Sequence, residues 1–154
     1  MSYTYKYPMQ TVAADAVVFS NREILLIKRN TEPCKGLYAL PGGHLDSTDR
    51  NAKETADREL KEETGVDANH RTVVLSGEVG SFSQIDRDPR GRYISIVYYY
   101  LLSERPEITI DPEEVQAFKW VKFNDIDPKK IAFDHYEIMQ KAIQKLAQDL
   151  RFEQ

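Results

Sequence analysis

The sequence predicts one mixed α/β domain built from packed layers of strands and helices. Short runs rich in β-branched and aromatic residues cover much of the chain up to residue 123, which is typical of strands. A charged helical segment interrupts them early, and an amphipathic helical segment closes the chain. Since neither an internal repeat nor a regular strand–helix alternation is found, a mixed sheet is favoured over a series of βαβ units.

Length and charge narrow the class of protein further. The 154 residues suit a single domain spanning 1–154. The net charge is 21 − 25 = −4, which disfavours nucleic acid as a partner. One cysteine, Cys34, cannot form an intrachain disulfide and suits a reducing compartment. Because the chain shows neither a signal-peptide pattern nor an apolar run of about 20 residues, we expect a cytoplasmic protein with no membrane partner.

The first strands form a predicted hairpin. Two apolar runs, 12–20 and 23–29, are separated by two polar residues, which is the usual spacing of a tight hairpin turn. Residues 30–36 contain proline and glycine and predict a loop. A brief strand over 37–40 follows and is expected to end at a turn made by Pro-Gly-Gly.

The charged segment 51–64 predicts the first helix. Gly65 follows it, as expected of a glycine that ends a helix. Ala56 and Leu60 are four residues apart and are expected to face the core. Opposite charges at the same spacing predict two ion pairs along the surface of the helix, Glu54–Arg58 and Arg58–Glu62.

Three glutamates share one side of this helix. Glu59 and Glu63 are four residues apart, and Glu62 is three from Glu59, so their like charges repel. Such a face is usually a solvated surface. Here it follows Gly42 and Gly43, which permit close backbone approach. Clustered carboxylate oxygens are the ligands that Mg²⁺ prefers, and a cation would remove the repulsion.

The remaining elements are mainly strands. Strands are predicted over 71–82, 93–102 and 117–123. Loops are predicted over 83–92 and at the turn after 108–110. Segment 134–150 predicts an amphipathic helix that begins with a capping box, Asp134 to Glu137. Its apolar stripe at helical spacing consists of Ile138, Ala142, Lys145/Leu146 and Leu150.

Residues 43–66, GHLDSTDRNAKETADRELKEETGV, resemble the Nudix box. That pattern is Gly, five residues, Glu, seven residues, then Arg-Glu-aliphatic-any-Glu-Glu-any-Gly-aliphatic. RELKEETGV, residues 58–66, matches its second half fully. The first half departs, because Asp49 replaces the glutamate and eight residues separate it from Arg58. In the family this acidic residue orients the helix arginine.

The extra residue is expected between Ser47 and Asn51, in the loop before the helix. An insertion inside the helix would rotate everything beyond it by about 100°, whereas a loop absorbs one residue at small cost. We therefore expect a continuous helix over about 51–64, with Glu59 and Glu63 facing the glycine turn.

The resemblance implies both a fold and a chemistry. Over about residues 10–150 it implies the Nudix fold, an α/β arrangement with a mixed β-sheet sandwiched between α-helices. It also implies hydrolysis of a nucleoside diphosphate linked to another group, with Mg²⁺ as cofactor and Mn²⁺ as an alternative. The implied metal-binding residues are Gly42, Glu59, Glu62 and Glu63. The implied catalytic residues are Glu62, Glu63, Glu114 and Arg58.

A glutamate on a later loop serves many relatives as a metal ligand or as the group that activates water. Glu113 and Glu114 both precede the strand bearing Trp120. Glu114 fits the family spacing better, although an ordinary acidic turn after Pro112 would look the same.

The loop 83–92 and the strand after it resemble those of ADP-ribose pyrophosphatases. Guanidinium groups suit phosphate oxygens, so the predicted substrate-binding residues are Arg29, Arg87, Arg90 and Arg92. Solvated arginines on a plain hairpin turn are the alternative. Tyr98, Tyr99 and Tyr100 could stack on adenine, but strand spacing favours packing. His135 is expected to be a first-turn residue rather than a substrate ligand.

The sequence thus favours hydrolysis of ADP-ribose to AMP and ribose 5-phosphate. One alternative is another substrate, such as NADH, a nucleotide sugar or a dNTP. Another is a non-catalytic ADP-ribose-sensing Nudix domain. Only about 34 residues follow Trp120, fewer than the winged helix of such regulators needs, and the full set of glutamates favours an enzyme. The expected partner is a small nucleotide, and a homodimer is left open.

Overall fold

The computed structural model describes residues 2–153, so the two ends of the predicted domain, residues 1 and 154, lie outside it. Seven strands and two α-helices follow one another along the chain. In order they are β1 (Thr11–Ser20), β2 (Glu23–Arg29), β3 (Tyr38–Ala39), β4 (Gly42–His44), α1 (Ala52–Thr64), β5 (Val73–Phe82), β6 (Tyr93–Leu102), β7 (Val115–Lys122) and α2 (His135–Glu153). Two short 3-10 helices, Phe123–Asp125 and Pro128–Lys130, lie between β7 and α2.

The strands form one mixed sheet. β1 pairs in parallel with β6 along nearly its whole length, and every other pairing between strands is antiparallel. The path through the sheet is β3-β2-β1-β6-β5, with β4 beside β1 and β7 beside β2. The predicted hairpin joins β1 to β2, and both of its turn residues, Asn21 and Arg22, have positive φ, as a two-residue hairpin turn requires.

The two helices cover opposite faces of this sheet, because alternate residues of a strand point to opposite sides. On β1, Val17 and Phe19 pack in the cluster that contains the buried residues of α2. Ala16 and Val18 pack instead with Leu60 of α1. The sheet is therefore sandwiched between helices, which confirms the predicted fold.

Two tyrosines of β6 belong to this core. Tyr99 and Tyr100 are fully buried. The Tyr99 hydroxyl donates to Asp149 of α2 at 2.5 Å, and the Tyr100 hydroxyl donates to Asp57 of α1 at 2.6 Å. The packing interpretation of these tyrosines is therefore correct, and each tyrosine ties one helix to the sheet.

Helix α1 is continuous, as predicted. The side chain of Asn51 caps it by accepting a hydrogen bond from the backbone N–H of Glu54, and Gly65 ends it in a left-handed conformation, φ 79°. Ala56 and Leu60 are fully buried. The residues that precede Asn51 form a loop, so the extra residue of the first half lies outside the helix.

Several local predictions are wrong. Gly42–His44 is a short strand rather than part of a turn, because its backbone pairs with β1. Glu54 pairs with Arg50 instead of Arg58. Leu150 is 38% exposed, since the apolar stripe of α2 leaves the core near its end. The predicted capping box also differs: both carboxylate oxygens of Asp134 accept hydrogen bonds from Arg87.

None of the helices in the described part of the chain is long and apolar enough to cross a membrane.

Candidate active site

The glutamate face of α1 packs against the glycine strand β4. The backbone N–H of Gly42 donates to Glu63 Oε1 at 2.8 Å. A Cβ atom at Gly43 would lie 2.5 Å from the carboxylate carbon of Glu59, closer than real side chains approach. The two glycines therefore leave the space in which the carboxylates of Glu59 and Glu63 sit. This arrangement confirms that both glutamates face the glycine residues.

Arg58 connects the irregular first half of the box to its second half. Asp49 accepts two hydrogen bonds from Arg58, at 3.0 Å from Nε and 2.9 Å from Nη2. The guanidinium also donates to the carbonyl of His44 at 3.1 Å, to Glu59 at 2.8 Å and to Glu62 at 3.3 Å. The hydrogen bonds from Arg58 hold the pKa of Asp49 well below its usual range. The shorter acidic side chain therefore still orients the arginine.

One cavity of about 670 Å³ contains most of the predicted site residues. Its wall combines acidic side chains with guanidinium groups and aromatic rings, among them Phe133, Tyr93 and His44. The acidic residues that line it are Asp15, Glu32, Asp46, Glu59, Glu62, Glu63, Asp88, Asp111 and Glu114. The guanidinium groups are those of Arg29, Arg58, Arg87 and Arg90. A cavity of this size and polarity suits a nucleotide.

Glu114, not Glu113, is among the residues that line the cavity. Its loop is held by backbone bonds, from the N–H of Glu114 to the carbonyl of Asp111 at 3.1 Å and from the N–H of Asn30 to the carbonyl of Glu114 at 3.0 Å. Asn30 also donates from its side chain to the carbonyls of Pro112 and Glu113. The loop before β7 is thus fastened to the end of β2, which brings Glu114 to the box glutamates.

The carboxylates of α1 are held in an environment that disfavours their charge. Burial raises the pKa of Glu63 to about 8. The hydrogen bond from Gly42 lowers this pKa, whereas the charges of Glu59, Asp15 and Glu114 raise it further. Burial also raises the pKa of Glu59, against the hydrogen bond and charge of Arg58. A cation placed among these oxygens would favour the ionised forms. The chemistry of this oxygen-rich set of side chains therefore fits a hard divalent cation.

Within residues 2–153, no group of three or more acidic, histidine or cysteine side chains is arranged as a ready-made metal site. The box glutamates instead accept hydrogen bonds from the protein. Arg58 donates to Glu59 and Glu62, and the backbone N–H of Gly42 donates to Glu63.

The predicted substrate-binding arginines occupy different environments. Arg87 is nearly buried and pairs with Asp134 at 2.7 Å. Arg90 pairs with Asp88 at 2.7 Å. Arg29 donates to the neutral carbonyl of Pro33 at 2.8 Å and lies over the ring of Phe133. The fourth, Arg92, is exposed and is not among the residues that line the cavity.

A buried polar cluster forms part of the cavity wall. The hydroxyl of Ser95 donates a short hydrogen bond to Asp15. The backbone N–H of Leu40 donates to Nδ1 of His135 at 3.0 Å, so the proton of the neutral imidazole is on Nε2, which lies 3.9 Å from Asp15. Burial lowers the pKa of His135. His135 begins α2, as expected, and its ring accepts a hydrogen bond from the backbone of the loop after β3.

Sequence reasoning missed Asp15, Ser95 and Asp111 as residues of this cavity. Asp15 carried a usable signal, because it is the only charged residue in a strand made mostly of apolar residues. Charged side chains are seldom buried unless they have a partner. Ser95 and Asp111 carried no comparable signal.

Comparison with known proteins agrees with this geometry. The family model described as NUDIX domain matches residues 9–142. An ADP-ribose pyrophosphatase from Methanocaldococcus jannaschii is 36% identical over 137 residues, which are 88% of this chain and 73% of that protein. The ADPR responsive transcriptional repressor NtrR from Acinetobacter baylyi is 30% identical over 151 residues. That match covers 95% of this chain but only 58% of the repressor.

A solved structure shows the same fold. The NUDIX domain of Shewanella oneidensis NrtR complexed with ADP ribose superposes with a TM-score of 0.80 at 28% identity. The match covers 94% of each chain. The matched family model, the glutamate helix against its glycine strand and the sandwiched mixed sheet all agree, and the chain therefore belongs to the Nudix domain family.

Proposed function

We propose that this protein is a Nudix pyrophosphohydrolase that uses Mg²⁺, with Mn²⁺ as an alternative, to hydrolyse ADP-ribose to AMP and ribose 5-phosphate. The observation that carries the proposal is a single cavity in which the box glutamates meet arginine side chains. The 36% identity to an ADP-ribose pyrophosphatase supports the choice of substrate. In this proposal residues 1–154 form one catalytic domain, which acts in the cytoplasm on a small nucleotide and binds neither nucleic acid nor a membrane.

Glu59, Glu62, Glu63 and Gly42 would hold the divalent cation. When bound, such a cation supplies Lewis-acid stabilisation of phosphate oxygens and assists ionisation of water. Glu63 is kept in place by the N–H of Gly42, and Glu59 by Arg58. Because both carboxylates are already oriented, little side-chain freedom remains to be lost when the cation binds.

Glu114 is the proposed base that accepts a proton from the attacking water. Its place in the cavity wall and the backbone bonds that hold its loop support this role. Arg58 acts in catalysis by fixing the glutamates. The substrate would be bound within the cavity by Arg29, Arg87 and Arg90. Arg92, which does not line the cavity, would contact the substrate at its opening.

A substrate panel tests this proposal. ADP-ribose, NADH, a nucleotide sugar and a dNTP are incubated separately with the protein and Mg²⁺, and the phosphate esters released are identified. We expect ADP-ribose to give the highest kcat/KM and to yield AMP. If NADH or a dNTP is better by more than about tenfold, a difference of about 1.4 kcal/mol in transition-state stabilisation, the assignment to ADP-ribose is wrong.

A second candidate is an ADP-ribose sensor. It is favoured by the similarity to the repressor NtrR and to the ADP ribose complex of the NrtR domain. The two candidates differ in turnover. A sensor would bind ADP-ribose tightly with little or no turnover, whereas an enzyme would turn over the same ligand many times. Light scattering of the same sample, with and without ADP-ribose, tests whether a homodimer forms.

A further inference from the structure

Phe133 has an unusual backbone conformation at the edge of the cavity. Its φ is 52°, in the left-handed region that bulky residues seldom adopt. The chain is held on both sides of it. The N–H of Ala132 donates to the carbonyl of Tyr38 at 2.8 Å, and the ring of His135 accepts from the N–H of Leu40 at 3.0 Å. Such a conformation persists only where the surroundings impose it, and it is commonly found at ligand sites.

The ring of Phe133 contacts two arginines of the cavity wall. The guanidinium carbon of Arg29 lies 5.0 Å from the ring centroid, and that of Arg90 lies 5.6 Å from it. Arg90 also lies 4.4 Å from the ring centroid of Tyr93. Arg29, Phe133, Arg90 and Tyr93 thus form a continuous row of stacked cations and rings, and all four line the cavity.

The two arginines in this row differ in charge balance. Arg90 is paired with Asp88 through two hydrogen bonds, at 3.0 and 2.7 Å. Arg29 donates only to neutral oxygens, those of Pro33 at 2.8 Å and Thr31 at 3.5 Å. In the described chain no carboxylate lies within ion-pair distance of Arg29. Its charge is therefore available to an anion, and the contact with Phe133 limits where its long side chain can go.

We propose that Phe133 is a positioning residue, which holds the guanidinium group of Arg29 in the cavity wall for the diphosphate of the nucleotide substrate. This inference rests on the proposed function for the identity of the substrate. An arginine that is already ordered loses less freedom when an anion binds. Cation–ring contact supplies that order without neutralising the charge, which a carboxylate partner would do.

Three variants separate this role from a general packing role. Phe133→Leu removes the flat ring face but keeps an apolar side chain. Phe133→Tyr keeps the ring. Phe123→Leu is the matched control, because Phe123 is also partly buried but packs against Phe19 in the core, away from the cavity. Thermal unfolding establishes that each variant is folded before kinetics are measured.

We expect Phe133→Leu to raise KM for ADP-ribose about tenfold and to change kcat less than about threefold. This pattern indicates the loss of an interaction that binds the substrate and the transition state equally well. Phe133→Tyr and Phe123→Leu should retain the wild-type KM. A Phe133→Leu variant with wild-type KM, or one whose kcat alone falls, overturns the positioning role. Should Phe133→Leu fail to fold, Phe133→Asn takes its place, because asparagine tolerates the left-handed conformation.

A binding measurement distinguishes failure of this inference from failure of the proposed function. Calorimetric titration with inorganic pyrophosphate and Mg²⁺ probes the diphosphate site without any chemistry. Weaker binding to Phe133→Leu by about tenfold, with Phe123→Leu unchanged, supports the inference even if ADP-ribose is not hydrolysed. Equal binding by wild type and Phe133→Leu, or no binding by wild type, overturns it even if ADP-ribose is hydrolysed.

Discussion

Glu63 shows at the scale of one residue how the fold prepares this cavity. Its side chain is largely buried, and burial raises its pKa to about 8, while the N–H of Gly42 partly offsets that effect. In the cation-free protein the ionised form is therefore disfavoured at neutral pH. A divalent cation restores the preference for the carboxylate, so that cation binding and loss of the proton are coupled at this position.

Replacing Glu63 with glutamine should lower kcat by at least about 10²-fold while the protein remains folded. The amide oxygen can still accept the hydrogen bond from Gly42, but the negative charge that stabilises the cation and the transition state is lost. Steady-state kinetics at saturating Mg²⁺ and a thermal unfolding scan check both parts. Turnover close to that of the wild type would contradict the role of Glu63 at the metal-binding face.

The same substitution should change stability in a pH-dependent way. The pKa of Glu63 is about 8 in the folded protein and about 4.5 when unfolded, so the wild type loses stability as pH rises from about 4.5 to about 8. Glutamine does not ionise. Without divalent cations, the Tm of Glu63→Gln relative to wild type should therefore be higher at pH 8 than at pH 5.

Each pH unit between the two pKa values corresponds to about 1.4 kcal/mol, which is roughly 3–6 °C in Tm at 2–4 °C per kcal/mol for a chain of this size. Scans at the two pH values in chelator check the expected difference. The control is Glu62→Gln, which removes a neighbouring carboxylate of the same helix whose side chain is exposed. Equal Tm differences for Glu63→Gln at both pH values would show that Glu63 ionises normally in the folded protein.

At the scale of elements, the approach of α1 to β4 decides whether the glutamates can act together. Asp49 and Arg58 fasten the loop before α1 to the helix, and His44 at the end of β4 accepts from the same arginine. The two glycines of β4 then allow the helix to pack closely.

Gly43→Ala tests this packing. The added methyl group would lie 2.5–2.8 Å from the carboxylate atoms of Glu59, so that carboxylate must move. We expect Mg²⁺ affinity, measured from the Mg²⁺ dependence of kcat, to fall about tenfold or more. Gly80→Ala is no suitable control because its φ is 149°. Ser81→Ala, on the exposed edge strand β5, should leave the affinity unchanged. An unaltered Mg²⁺ dependence in Gly43→Ala would show that Glu59 is not a ligand.

At the scale of the whole molecule, the sheet brings together segments that are distant along the chain. β1 carries Asp15, β4 carries the glycines, and the loop before β7 carries Glu114. β1 pairs with both β4 and β6, which places Asp15 beside Gly42 and near Ser95. The cavity therefore depends on the folded sheet, and a ligand bound there should stabilise the whole protein.

Mg²⁺ should raise the Tm of the wild type. A ligand present at about 100 times its Kd contributes about 2.7 kcal/mol to stability, or roughly 5–11 °C for a domain of this length. Glu63→Gln should show less than half that rise at the same Mg²⁺ concentration. Na⁺ at equal ionic strength is the control for screening. Equal effects of Mg²⁺ on the two proteins would indicate binding away from Glu63.

The amino-acid sequence by itself determined the family, the glutamate helix and nearly all of the strands. These features depend on local periodicity and on a contiguous motif, in which spacing along a helix places Glu59, Glu62 and Glu63 on one side. Asp49 could also be expected to reach Arg58, because a loop residue adjusts its position more freely than a residue within a helix.

The tertiary structure alone decided which residues from other segments join that helix. Asp15, Ser95 and Asp111 enter the cavity through strand pairing and a loop, and no local pattern specifies such contacts. It likewise decided that Arg87 is paired with Asp134 while Arg29 has no acidic partner among the described residues, and that Glu114 rather than Glu113 lines the cavity. Contacts between residues distant in the chain depend on the packing of the whole sheet, which sequence periodicity does not encode.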